Sequence, residues 1–372
     1  MRSSYEVADI LNKAWHRTEH SNLNSWQIRT LRAIKDCRTV ALGGHIDGCD
    51  SCGHIQISYN SCRNRHCPKC QGNKRQQWID ARESELLPVP YFHVVFTLPQ
   101  ELNVLALHKP KEVYDALFAA AWATLKLFSG QNKSGMISIL HTWGQNLSLH
   151  PHLHCIVPSG SIDKNGKWLM AKSKGKFLFP VKAMSQVFRA KYLAFLRQSV
   201  SIDKELSESL FKNSWVVYAK RAFGSPQSVL EYLGRYTHKI AISNHRLITV
   251  NKQTVSFSYK DYKTGGEKKV MTLSHEEFIR RFAMHILPKR FMRIRHYGIL
   301  SSTWKRNKLR ALQAGLLGKP IELIAKETKK QSIMTCPICK TGKMHIIMMF
   351  GIRGPPSIFE KAGDKNKHSA GA

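Results

Sequence analysis

Two histidines at alternate positions are the first residues whose spacing points to chemistry. His152 and His154 begin an apolar segment that predicts a β-strand over residues 152–157. Because alternate side chains of a strand share one face, both imidazoles can reach the same divalent metal ion. Two such histidines are more often ordinary surface residues of an edge strand, so this interpretation depends on the rest of the chain.

The sequence leaves the third ligand of this ion open between two residues. Gln145 offers a side-chain carbonyl oxygen, and His150 shares the strand face if the alternation continues through Pro151. Proline is typical of the first residue of a strand, which indicates that the strand only begins there. We therefore expect Gln145 as the third ligand and His150 in a supporting role.

Two tyrosines four residues apart offer a nucleophile. Tyr232 and Tyr236 lie in a helix predicted over residues 225–236, which a Ser-Pro pair begins. Side chains at i and i+4 share a helix face, so both phenol oxygens can point the same way, although such a pair usually packs in a core. A free tyrosine has a pKa of about 10 and needs nearby cations to act as a nucleophile. The candidate cations are Arg235, His238 and Lys239.

Two C-x-x-C pairs predict a structural metal site near the N-terminus. Cys49 with Cys52 and Cys67 with Cys70 are separated by fourteen residues. Four thiolates complete the tetrahedral shell that structural zinc prefers, and this closed shell leaves no position for a substrate. Neighbouring residues that could replace a ligand or bind a second ion are His45, His54, Cys62 and His66.

The use of cysteine fits a reducing compartment. The N-terminal residues lack the apolar core of a secretory signal, and no apolar segment is long enough to span a membrane, so we expect a cytoplasmic protein. Nine cysteines then favour metal binding over disulfides. One further pair, Cys336 and Cys339, has no second pair beside it in the sequence. It is equally consistent with half of a zinc ribbon and with a metal-free loop.

The charge of the chain favours nucleic acid as its partner. Lysine and arginine total 58 against 25 acidic residues, which gives a formal charge of +33. Residues 278–321 contain no acidic residue, and aromatic side chains are interleaved with the basic ones, a pattern suited to single-stranded DNA. The residues that we expect to contact DNA are Arg63, Arg65, Lys69, Arg235, Lys239, Arg290, Arg293 and Arg295.

Short strands in runs, with helices between them, predict an α+β fold with an antiparallel sheet. Further strands are predicted at residues 91–98, 136–140, 215–219, 240–242, 247–250, 255–259 and 269–273, and helices at 110–128 and 181–197. Three regions are expected: 1–88 with two helices and the zinc module, 89–300 with the catalytic sheet, and a basic 301–372 with a disordered tail. No phosphate-binding G-x-x-x-x-G-K-[ST] motif is present, so the sequence does not indicate use of ATP.

These motifs together resemble the rolling-circle transposases of the IS91 type, which belong to the HUH nuclease superfamily. The likeness rests on the histidine string 150–154, the tyrosine string 232–238 and the cysteine-rich segment 59–70, which stand in the family's order. It covers most of the chain.

The resemblance implies an HUH-nuclease sheet that carries His152 and His154, which hold Mg²⁺ or Mn²⁺ beside Tyr232 and Tyr236. A tyrosine oxygen attacks the phosphorus of single-stranded DNA at a transposon end, forms a 5′-phosphotyrosine link and releases a 3′-hydroxyl that can later reverse the step. Two alternatives stay open. One is a replication initiator or relaxase with the same chemistry, and the other is a zinc-containing DNA-binding protein without catalysis.

Overall fold

The computed structural model describes residues 4–19, 21–71, 79, 84–170, 179–223, 228–229, 234, 239–318, 334–356 and 358–359. Across these residues, no helix has the length and apolar character required to cross a membrane.

The centre of the molecule is a five-stranded sheet in which every pair of neighbouring strands is antiparallel. In spatial order its strands are β12 (Ile294–Gly298), β4 (Gly135–Trp143), β5 (Leu149–Pro158), β3 (Tyr91–Thr97) and β8 (Val217–Phe223). Because side chains alternate along each strand, the sheet has two different faces. The predicted α+β class with an antiparallel sheet is confirmed.

One face of the central sheet is apolar and covered by helices. Phe92, Val94 and Phe96 of β3 are buried there, together with Leu153 and Val157 of β5. The helices of this layer are α3 (Asn103–His108), α4 (Pro110–Phe128), α5 (Val181–Leu196) and α6 (Lys204–Lys212). The two long helices agree with the predicted segments, and the proline at the first turn of α4 is well suited to a helix start.

The opposite face is apolar at one end and carries histidines at the other. Ile137, Ile139 and Ile156 are buried in one cluster with Tyr91 and Val229. Side chains from a short hairpin and from two helices complete this cluster; these elements are β6 (Gly160–Ile162), β7 (Trp168–Met170), α8 (Ser302–Asn307) and α9 (Leu309–Leu317).

A second core joins the N-terminal helices to a small sheet. Helices α1 (Val7–Glu19) and α2 (Ser25–Lys35) pack with α7 (His275–Ala283) and with a three-stranded antiparallel sheet. The strands of that sheet are β9 (Leu247–Val250), β10 (Thr254–Asp261) and β11 (Glu267–Ser274). Asn24 caps α2 through a capping box with Gln27, which explains why this helix begins where it does.

A third, thin sheet brings distant parts of the sequence together. Its strands are β1 (Gly44–Cys49), β2 (Ile55–Tyr59) and β13 (Met344–Phe350), with β1 in the middle. The predicted division into consecutive regions is therefore wrong for residues 344–350. These residues pair with β1 of the zinc module rather than forming part of a separate C-terminal region.

Two predicted elements, the helix at residues 225–236 and the strand at residues 240–242, have different outcomes. The strand predicted at residues 240–242 is wrong: the segment is irregular, because Ala241 and Ile242 are buried in the second core without pairing to a strand. Of the helix predicted over residues 225–236, the described residues Ser228, Val229 and Gly234 are helical, and the others lie outside the described residues.

Candidate active site and metal centres

Three histidines converge on the central sheet. His141 comes from β4, and His152 and His154 come from β5. His141 and His152 are direct cross-strand partners, and His154 is the next residue on the same face of β5. One ring nitrogen of each lies within 4.8 Å of those of the other two. This spacing suits three imidazoles bound to one metal ion.

Hydrogen bonds orient two of the three rings. The Nδ1 of His152 lies 2.7 Å from the carbonyl oxygen of His150, and since only an N–H can donate to a carbonyl, Nε2 is left with its lone pair. The Nδ1 of His154 lies 2.9 Å from Nε2 of His93, a buried histidine on β3. His154 can therefore also present Nε2 to a metal. Second partners of this kind fix the direction of metal-binding imidazoles.

Burial favours the neutral form of two of these histidines, His152 and His154. Burial lowers the pKa of His152 to about 4, and the positive charge of Lys239 adds to this effect. Burial also holds the pKa of His154 well below its usual value, with further contributions from His141, His152, His93 and Lys239. A neutral imidazole is the form that binds a metal, so the site does not have to release protons first.

His141 is the member of this cluster that the sequence analysis missed. Its ring stacks on Trp143 with 4.6 Å between ring centroids. A signal was present, because position 141 continues the alternation of Ile137 and Ile139 beyond the end of the predicted strand. Gln145, the expected third ligand, lies in the following turn, where its backbone carbonyl accepts a hydrogen bond from Arg246. With His141 in the cluster, Gln145 is not required as a ligand.

The predicted zinc ligands do not form one site. Cys67 and Cys70 cluster with Cys37 and with Cys62, for which the sequence predicted a role as a replacement ligand or as a ligand of a second ion. Cys49 and Cys52 lie in a different cluster. The prediction of one shell from Cys49, Cys52, Cys67 and Cys70 is therefore wrong: β1 carries the first pair into the thin sheet, while the second pair is buried against α1 and α2.

The Cys37 cluster has the dimensions of a zinc–thiolate site. The sulfur of Cys70 lies 3.6 Å from that of Cys37 and 3.7 Å from that of Cys62. Four sulfurs placed ~2.3 Å from a zinc ion at tetrahedral angles are about 3.8 Å apart, so these distances fit. Hydrogen bonds from the thiols of Cys62 and Cys67 lower the pKa of Cys37 to about 2.

The other cluster combines the N-terminal pair with the pair near the C-terminus. Cys49, Cys52, Cys336 and Cys339 each contribute a sulfur, and these four atoms lie within 4.8 Å of one another. The sequence left the role of the second pair open because its partners are remote along the chain. The sulfurs of Cys52 and Cys336 lie 3.7 Å apart, although the two residues are separated by 284 positions.

Several of the cations expected to contact DNA have internal roles instead. Arg65 donates to the carbonyl oxygens of Pro288 and Phe291, and Arg295 pairs with Asp115. Lys69 donates to the Cys37 carbonyl and pairs with Glu6. Long side chains with partners of this kind stabilise the fold and are less free to bind a phosphate.

Other predicted cations remain near the histidines or at the surface. Arg293 donates to the carbonyl oxygen of Lys239, 3.0 Å away, and its guanidinium lies over the ring of Trp143, beside the histidine cluster. Arg63 and Arg290 are exposed. Arg235, Tyr232 and Tyr236 lie outside the described residues.

Two family models match the parts of the chain that contain most of these site residues. A family described as a putative transposase matches residues 135–308, which contain the three histidines, and a family described as a transposase zinc-binding domain matches residues 10–98. The conjugative relaxase TrwC in complex with OriT DNA, a solved structure, is 12% identical and covers 39% of this chain and 71% of its own, with a TM-score of 0.24 that is too low to support an argument.

Two relatives span most of the sequence. The transposase for insertion sequence element IS801 of Pseudomonas savastanoi pv. phaseolicola is 29% identical over 309 residues, covering 78% of this chain and 74% of its own. The putative transposase y4qJ of Sinorhizobium fredii is 42% identical over 396 residues, which cover 96% of this chain and 99% of its own. The chain therefore belongs to the IS91-type family of transposases that carry a zinc-binding domain.

Proposed function

We propose that this transposase cleaves and rejoins single-stranded DNA at transposon ends by a rolling-circle mechanism, with a tyrosine nucleophile at the three-histidine centre. The observation that carries the proposal is the convergence of His141, His152 and His154 on one face of the central sheet. Three protein ligands leave coordination positions open for a substrate, which distinguishes a catalytic metal site from a closed structural one.

The donor set of this centre fits a divalent metal ion. All three ligands are imidazoles, which suit transition metals better than the harder Mg²⁺, so we favour Mn²⁺ over Mg²⁺. When bound, such an ion polarises a phosphate oxygen and helps to orient the scissile phosphodiester. Lys239 and Arg293 lie beside the histidines and supply positive charge for the same phosphate.

Tyr232 and Tyr236 are the proposed nucleophiles. The described residues on either side of them support this assignment. Val229 is buried in the apolar cluster on the histidine face of the sheet, and Lys239 is close enough to His152 and His154 to lower their pKa values. The described residues before and after the tyrosines, Val229 and Lys239, therefore both lie on the side of the sheet that carries the histidines.

The chemistry requires no nucleotide cofactor. The phenol oxygen of the tyrosine forms a bond to phosphorus as the bond from phosphorus to the 3′ oxygen breaks, and the proton lost by the phenol is balanced by the proton gained by the 3′-hydroxyl. The bond energy stays in the 5′-phosphotyrosine link, so another 3′-hydroxyl can reverse the step and join strands. Two tyrosines allow two DNA ends to be held at once.

We further propose that the Cys37 cluster holds a structural zinc ion. All four of its cysteines lie within residues 10–98, the part of the chain that matches the transposase zinc-binding domain. A shell of four thiolates has no open position, so this ion organises the second core rather than taking part in cleavage. Reduced cysteines of this kind are consistent with activity in the cytoplasm.

The test is the covalent adduct. Incubation with a single-stranded oligonucleotide of the transposon end and Mn²⁺ should give a protein–DNA product that survives SDS, and the Tyr232→Phe/Tyr236→Phe double variant should give none. Tyr218→Phe is the matched control. Tyr218 is exposed on β8. Val95 of β3 pairs with Tyr218 on one side and with His154 on the other, so Tyr218 lies on the same face of the sheet as the histidines. Tyr218 is not a proposed nucleophile. An adduct that persists in the double variant would refute the proposal.

A further inference from the structure

The sheet of β13, β1 and β2 has almost no hydrophobic core. Its buried cluster consists of Cys49, Cys336 and Met344, with Cys339 packed against them, and Ile46 of β1 is one further buried apolar side chain. Ile346, Ile347, Met348 and Met349 of β13 are exposed. A unit with so few buried apolar side chains is normally stabilised by a metal ion or by disulfides.

The distances between the sulfurs exclude disulfides and match a metal shell. The sulfurs of Cys49 and Cys339 lie 3.7 Å apart, and so do those of Cys52 and Cys336. A disulfide bond is only about 2.05 Å long. The edges of a zinc–tetrathiolate tetrahedron are about 3.8 Å long, given a zinc–sulfur distance of ~2.3 Å.

The two C-x-x-C turns have the same construction. Gly53 N–H donates to the Cys49 carbonyl in the first turn, at 3.2 Å, and Lys340 N–H donates to the Cys336 carbonyl in the second, at 3.0 Å. Both donors have a left-handed backbone, with φ of 68° for Gly53 and 59° for Lys340. Each turn therefore presents its two sulfurs in the same way, so that two matching halves face each other.

Polar contacts hold the two turns together around the sulfurs. Asp50 N–H donates to the Lys343 carbonyl at 3.1 Å, and Lys343 N–H donates to the Asp50 carboxylate at 2.8 Å. A side chain at Gly342 would collide with the sulfur of Cys49 and would lie 2.8 Å from Cβ of Ser51. Gly342 N–H donates to the sulfur of Cys339 at 3.3 Å, a contact that orients this sulfur.

We propose that Cys49, Cys52, Cys336 and Cys339 bind a second zinc ion and form a zinc ribbon split between two remote parts of the chain. Residues 10–98 match the zinc-binding domain and contain only the first two of these ligands. The second zinc ion thus fastens β13 to the N-terminal domain. This inference does not depend on the proposed cleavage chemistry.

The zinc content of purified full-length protein tests the proposal. We expect two zinc ions per chain in the wild type and in Ile338→Ser, a control at an exposed position between two ligands. We expect one zinc ion per chain in Cys336→Ser/Cys339→Ser. We expect two zinc ions in Cys339→His, because histidine is also a zinc-binding group. A double serine variant with the same zinc content as the wild type would overturn the proposal. If that variant does not fold, the wild type alone tests the proposal. Fewer than two zinc ions per chain in the wild type would also overturn it.

A second experiment tests whether the zinc ion holds β13 to the N-terminal domain. A recognition site for a specific protease is inserted between Gly318 and Met334, and the cleaved protein is analysed by gel filtration. The C-terminal fragment should elute with the rest of the wild-type protein and should separate from it when the chain carries Cys336→Ser/Cys339→Ser. Elution of the two fragments together in the double variant would show that the metal ion does not hold β13 in place.

Discussion

The histidine centre and the cysteine centres solve different problems. The three histidines project from two central strands of a sheet whose other face is packed under helices, so the strands hold them in position whether or not a metal ion is bound. Most of the cysteines lie in turns and irregular segments, where a bound metal ion would itself provide much of the stability. Removing a ligand should therefore impair chemistry at the first kind of site and folding at the second.

The largest effect is expected from Cys67→Ser. This cysteine is buried in the second core with α1 and α2, and zinc binding in small domains contributes about 10–16 kcal/mol to the free energy of folding. The variant should lose one zinc ion per chain and unfold that core, as measured by metal analysis and by protection from proteolysis. Cys155→Ala is the control, since Cys155 is a buried thiol of the central sheet outside both clusters. A zinc content in Cys67→Ser equal to that of the wild type would contradict the proposed difference between the cysteine and histidine centres.

His152→Gln should produce the opposite result. Loss of a metal ligand is expected to slow adduct formation by more than about 100-fold, since even the partners of metal ligands account for about 10–100-fold. The free energy of unfolding should change by less than about 1 kcal/mol, because the sheet is stabilised mainly by its other face, which packs under the helices. His150→Ala, outside the cluster, should keep most of the activity. A large loss of stability in His152→Gln would argue that the histidines serve the fold.

A smaller effect is expected at His93, which positions His154 through the 2.9 Å contact between ring nitrogens. His93→Ala should raise the Mn²⁺ concentration that gives half-maximal activity by about 10–100-fold. His93→Gln, which can still form a hydrogen bond to the imidazole, should restore part of this loss. An unchanged metal requirement in His93→Ala would show that His93 is only a core residue.

The smallest effect is expected at an exposed cation. Arg290→Ala should weaken binding of single-stranded DNA and reduce the slope of log affinity against log salt concentration by about 0.7, as for one lost phosphate contact. Lys204→Ala is the control, because Lys204 lies on α6 in the helical layer on the other face of the sheet. If the slope of log affinity against log salt concentration is the same for Arg290→Ala and the wild type, Arg290 does not contact the DNA.

Local sequence patterns determined much of what the fold contains. The apolar periodicity of residues 110–128 predicted a helix whose ends the structure reproduces, and alternation placed two candidate metal ligands on one strand. Composition pointed to nucleic acid, and the order of the motifs pointed to the transposase family that the comparisons show. In each case the information lies within a few residues or in the chain as a whole, so no knowledge of contacts between distant residues is required.

Only the tertiary structure decided which residues meet. His141 joins His152 because β4 and β5 pair in one register, and a register cannot be read from either strand alone. The two C-x-x-C pairs of the N-terminal region separate because β1 pairs with β13, nearly 300 positions away, while Cys37 and Cys62 are brought to Cys67 and Cys70. Spacing in sequence favours neighbouring cysteines as partners, whereas packing and strand pairing set the distances that a metal shell requires.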